Sequence, residues 1–203
     1  MSAFKLPSIA EVPALPTIER AAVLDALFEP CTALHTLSLD LTHTEKFESY
    51  NDLIASIGVQ LTDLSESPST SDTEWLDKIL GAHPRLGEKK VESAQSQAEQ
   101  AQLNTGGEEE AAKLRGLNEE YERKFPGLKY VYERPVKPWE VLKLMSSSVF
   151  VNGRSRPVVM ENMVQRIARG DIKLERAEAI KANSCCKAMC DIAADRAVKL
   201  QRP

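Results

Sequence analysis

No apolar run in this chain approaches the ~20 residues that a membrane-spanning helix needs. The N-terminus also lacks the basic-then-apolar order of a secretory signal. Both absences lead us to expect a soluble, intracellular protein. The 26 basic and 30 acidic residues leave a net charge of −4, and the basic ones form no stripe. That pattern argues against nucleic acid and anionic membrane as partners. Cysteine is sparse: Cys31, Cys185, Cys186 and Cys190 have no metal-ligand spacing, and three of the four crowd into six residues. This is no disulfide framework, so they read as thiols in a reducing compartment. Missing too are a phosphate-cradling glycine loop, a dinucleotide fingerprint, an H-E-x-x-H pair and a G-x-S-x-G elbow. Most cofactor-dependent chemistry goes with them. Neither strand-like alternation of useful length nor a fixed-period repeat is visible.

What remains is helical. At 203 residues and 42% hydrophobic content the chain can bury one sizeable core, and we expect a single all-α domain over 17–203 behind an extended lead-in, 1–16. Pro7, Pro13 and Pro16 break that lead-in. With Thr17 as a cap, Ile18, Ala22, Leu24, Leu27 and Phe28 recur at helical spacing until Pro30. Helices are also expected over 33–41 and 47–64, and His35, in the first, and His43, just after it, read as structural residues with no ligand partner at metal spacing. A Ser-, Thr- and Pro-rich loop should span 65–72. Ser71 and Glu74 then form a capping box that opens a helix leading to His83. A charged helix should cover 108–124, with Ala111, Leu114, Leu117 and Tyr121 inward, and Phe125, Pro126 and Gly127 closing it. Pro157 fits the first turn of another, with Val159, Met160, Met163, Val164 and Ile167 apolar, up to Gly170. A last helix should run from Asp171 through Leu174, Ala177 and Ile180 to Arg196.

The stretch 83–100 has the outline of a polar site. Pro84 removes a backbone donor and pushes His83 out of helical geometry, which holds the imidazole at a defined angle. Ser96, Glu99 and Gln100 crowd into one helical turn. A histidine can pass a proton near neutrality, and a carboxylate beside it fixes its tautomer and raises its basicity. Ser and Gln both donate and accept, which suits an amide-rich ligand. Taken singly, each has a duller explanation. His83 reads equally as a residue at a helix end, Ser96 with Glu99 as a second capping box, and Arg196 as a charge complementing a helix C-terminus.

Order and company give more. Leu80-Gly81-Ala82-His83-Pro84-Arg85-Leu86-Gly87, then Ser96-Gln97-Ala98-Glu99-Gln100, Leu117-Asn118-Glu119-Glu120-Tyr121, Phe125-Pro126 and Ile192-Ala193-Ala194-Asp195-Arg196 together resemble the 2-oxo-4-hydroxy-4-carboxy-5-ureidoimidazoline (OHCU) decarboxylase family. The resemblance spans about residues 17–200 and is loose before 70. It implies an all-helical, cofactor-independent enzyme of urate degradation that converts OHCU to (S)-allantoin with loss of carbon dioxide. Carried over, His83 is the catalytic acid/base and Glu99 hydrogen-bonds the substrate. Pro84, Ser96, Gln100 and the backbone at Tyr130 and Val131 line the pocket, and Arg196 grips the substrate with its planar fork. The scheme needs no metal. The partner is a small molecule, neither nucleic acid nor membrane, and the resemblance suggests a homodimer. The compartment is the cytoplasm or the peroxisome, although the ending Gln201-Arg202-Pro203 is not of the S-K-L type.

Two segments depart from the family pattern. Residues 132–148, with Pro135, Pro138 and Trp139, separate pieces that family members join almost directly, and 183–188 interrupt the last helix. Both keep the reading frame, and we expect retained introns. A six-residue insert turns a continuous helix by about 600°, which would carry Arg196 about a third of a turn off its face. Were both segments real, the alternative is an impaired enzyme or a helical interaction protein on the same scaffold.

Overall fold

Prolines and capping side chains divide the chain into helices. The structure is a computed structural model and describes residues 4–87, 96, 107–130, 156–180 and 189–201. A 3-10 helix, Ile9–Ala14, leads in. The α-helices then follow as α1 Thr17–Leu27, α2 Thr32–Thr44, α3 Tyr50–Glu66, α4 Thr70–Leu80, α5 Glu108–Lys124, α6 Arg156–Arg169, α7 Ile172–Ile180 and α8 Met189–Gln201. Ser96 is itself helical, and no strand occurs among the described residues. The expected all-α class holds.

The local expectations fare unevenly. The lead-in is not simply extended: Val12 is buried in its 3-10 helix, Leu6 N–H donates to the Leu200 carbonyl, and the Tyr50 hydroxyl donates to the Pro7 carbonyl at 3.0 Å. Thr17 is the first helical residue of α1 and Pro16 its cap. The expected loop at 65–72 shrinks to 67–69, because α3 continues to Glu66. The cap of α4 is Ser69, which accepts from the Asp72 N–H, so Ser71 and Glu74 lie inside the helix rather than forming its capping box. Several polar residues there can cap, and the one whose hydroxyl meets an unpaired helical N–H wins. Val164 and Leu174, expected inward, are exposed. The described parts of the expected last helix are α7 and α8. Residues 132–148 and 183–188 lie outside the described residues.

Helix α3 is the centre of the core. Its Leu53, Ile57 and Leu61 are fully buried and α3 packs against α4, α7 and α8. Each such side chain contributes ~1.5–3 kcal/mol by leaving water. Helix α1 lies against α2 and α8, and α5 pairs with α6. Two ion pairs brace the segment that carries His83. Arg176 of α7 donates from Nε and Nη2 to the two carboxylate oxygens of Asp77 on α4, at 2.8 and 2.7 Å. Arg85 donates to both oxygens of Glu122 on α5, at 2.6 Å each. Such fork-to-carboxylate pairs fix orientation as well as distance. Between them Gly81, at the end of α4, passes so close to the turn after α5 that a Cβ would sit 2.7 Å from the Gly127 carbonyl oxygen. Gly127 has φ +90°, a conformation other residues resist. No described helix is long and apolar enough to cross a membrane.

Candidate functional site

The end of α1 supplies half of the site. Its last carbonyls lack partners within the helix, and Pro30 prevents the chain from winding on. Arg196, reaching in from α8, meets them: Nη1 donates to the carbonyls of Leu27 and Phe28, at 3.3 and 2.9 Å. Its Nη2 donates to Glu29 Oε1 at 2.7 Å and to Ser96 Oγ at 2.9 Å. The Ser96 hydroxyl in turn donates to the same Glu29 oxygen. All three side chains are buried, Arg196 to within 1% of full enclosure. A buried cation and anion in direct contact relieve the large desolvation cost each would carry alone.

His83 faces this pair electrostatically. It is 6% exposed, and its Nε2 has no hydrogen-bond partner among the described residues. Its pKa is lowered to about 4, first by burial, then by the positive charge of Arg196, with Glu29 opposing. At neutral pH the imidazole is therefore uncharged, with one nitrogen a donor and the other an acceptor. A buried polar atom left without a partner costs ~1–3 kcal/mol. The fold retains that cost at an atom suited to meet a ligand.

The structure thus brings together His83, Ser96 and Arg196 from the expected set, with half-buried Pro84 next to His83. Glu99, Gln100 and Val131 lie outside the described residues. Arg196, on α8, joins the cluster, and residues 183–188, on which the expected rotation turned, lie outside the described residues. Both terminal nitrogens of the Arg196 fork donate to protein oxygens. Ser96 is within a helix, not a cap before one. Among the described residues no three His, Cys, Asp or Glu side chains converge as a metal site would require.

Tyr130 is held from behind. Its hydroxyl donates to Asn162 Oδ1 at 2.6 Å, its ring meets Tyr121 edge-on with centroids 5.3 Å apart, and the Arg166 guanidinium lies 5.0 Å from its centroid. Arg166 pairs with Glu175, a wholly buried carboxylate, at 2.5 Å. Glu175 also accepts from Arg169 at 2.5 Å and from the Tyr121 hydroxyl at 2.7 Å. Burial first, and Glu175 further, push the Tyr121 phenol far up, so it remains a donor. This network fixes the ring of Tyr130, and with it the course of the backbone expected to line the pocket.

Glu29 was not among the expected site residues. One signal for it existed: an anion at a helix C-terminus opposes the helix dipole, so a glutamate between Phe28 and Pro30 needs a compensating cation. An open groove of about 560 Å³ between α5 and α6, lined by Lys113, Leu117, Glu120, Met160, Glu161 and Val164, shares no residue with the cluster.

Among the described residues, an all-helical fold thus places a neutral histidine near a buried carboxylate–guanidinium pair. Residues 13–198 match the OHCU decarboxylase family, and the chain belongs to it. Among curated proteins none matches the chain.

Proposed function

We propose that the protein decarboxylates OHCU to (S)-allantoin in urate degradation, without a cofactor. The observation that carries this reading is the His83 imidazole, buried, uncharged and without a hydrogen-bond partner at Nε2 among the described residues, within a chain of this family. Breaking the bond to the carboxylate releases carbon dioxide and leaves an electron pair in the ring. A fixed positive charge such as Arg196 lowers the energy of that developing anion. A neutral imidazole can take a proton from the substrate and return one to the ring carbon, and a group held on one side of the ring delivers it to one face. That gives a single enantiomer. Glu99, Gln100, Pro84 and the backbone at Tyr130 and Val131 complete substrate binding in this reading.

The test uses freshly prepared OHCU and the purified protein, followed by circular dichroism. Optically active allantoin should form faster than in buffer, and His83→Ala should remove the excess. A rate no better than buffer overturns the reading and leaves a helical scaffold without this activity.

A further inference from the structure

The hydrogen bonds around Glu29 carry an inference that rests on the decarboxylase reading and deepens it. Glu29 Oε1 receives two donors, Arg196 Nη2 and the Ser96 hydroxyl. Serine has one hydroxyl proton. Once that proton is given to Glu29, Ser96 meets any further group only as an acceptor. It therefore has no proton to offer a substrate carboxylate or carbonyl oxygen. Arg196 is constrained from the same side. With Nη1 on the carbonyls of Leu27 and Phe28 and Nη2 on Glu29 and Ser96, its terminal N–H groups are already committed. It acts on the site through its charge at a fixed position.

We propose that Glu29 is a positioning residue of this site: it takes up the Ser96 hydroxyl proton, so that Ser96 offers no donor to a substrate oxygen, and it locks the Arg196 guanidinium as a fixed charge beside His83. Glu29 touches neither the reacting atoms nor solvent in this role. It acts through the two side chains it holds. Its charge also reaches His83, where it opposes the effect of Arg196.

Glu29→Gln keeps an acceptor oxygen and removes the charge, while Glu29→Asp keeps the charge and withdraws it by one methylene. With OHCU as substrate, kcat is expected to fall ~10–100-fold in Glu29→Gln, the range that misplacement of a site group produces, and less in Glu29→Asp. The second readout needs no activity. Near about pH 4, where wild-type His83 is part-protonated, the Glu29→Gln imidazole should remain neutral by NMR, since the negative charge that favours its protonation is gone. A purely architectural Glu29 would lower thermal stability and leave that titration where it is.

A folded Glu29→Gln with wild-type kcat and an unshifted His83 titration overturns the proposal. If Glu29→Gln does not fold, Glu29→Asp decides: reduced kcat at wild-type thermal stability supports the proposal, and wild-type kcat overturns it. If the wild-type protein has no activity on OHCU, the decarboxylase reading fails on its own. The His83 titration in the variants then decides whether Glu29 sets the electrostatics of the cluster.

Discussion

The neutral state of His83 has a cost that stability measurements can read. The group's pKa moves from 6.5 to about 4 on folding, so between those values the unfolded chain binds a proton that the folded chain refuses. Stability rises with pH wherever the unfolded state binds more protons. The His83 contribution is thus fully present above 6.5 and is lost as pH falls toward the folded value. From about pH 7.5 to about pH 5 this one group should destabilise the protein by about 2 kcal/mol. Carboxylates change stability over the same range, so the comparison is with His83→Gln, which shares them and lacks the imidazole. Urea midpoints for both proteins at the two pH values supply the measurement, with the difference between their pH-induced losses as the result. With only three histidines in the chain, the His83 proton resonance can be assigned by its absence from the variant. It should hold its neutral shift at about pH 5, where an ordinary imidazole would be largely protonated. Parallel pH profiles for the two proteins, or a resonance that titrates near 6.5, would refute a buried neutral His83.

Three further outcomes follow from the same geometry. Glu175→Gln removes the buried anion shared by Arg166, Arg169 and Tyr121, and leaving buried Arg166 to the more distant Glu178 carboxylate, 3.5 Å away, should cost up to about 3–5 kcal/mol in a urea titration. A loss below 1 kcal/mol would mean the network is not formed in solution. Gly127→Ala forces a side chain into φ +90° with a Cβ 3.0 Å from that of Asp77. At least ~1–2 kcal/mol of stability should go, and kcat should fall with it because Asp77 braces α4 below His83. Sequencing of the mature transcript is expected to show no codons for 132–148 and 183–188; a message carrying both ends the intron proposal.

Much of the helical framework was legible because periodicity and stop residues act locally. Proline at 30 and glycines at 127 and 170 end helices by their own backbone chemistry, with positive φ at both glycines. The start of α4 was misplaced by two residues, since Ser69 and Ser71 offer the same hydroxyl and only geometry selects one. Ser96 and Arg196 became candidates through resemblance, yet what they bond was hidden. Their common partner, Glu29, lies 67 positions from Ser96 and 167 from Arg196, and no short-range pattern joins such distances. Glu175 was missed similarly: in a chain with 30 acidic residues, burial of this one depends on three helices meeting around it. Sequence patterns report which face of a helix is apolar. They do not report which charge another helix will neutralise.

The contact between Arg196 and the end of α1 also bears on when the site can exist. The Phe28 carbonyl and the guanidinium it accepts from are separated by 168 positions. During synthesis Glu29 leaves the ribosome long before Arg196, the cation it pairs with, and a lone carboxylate resists burial. The loop between α1 and α2 must stay hydrated until α8 arrives, so this corner closes among the last long-range steps of folding. A nascent or truncated chain lacking α8 would hold His83 on its α4 segment and still have no cluster. The cluster thus closes only once α1 and α8, far apart in sequence, have met.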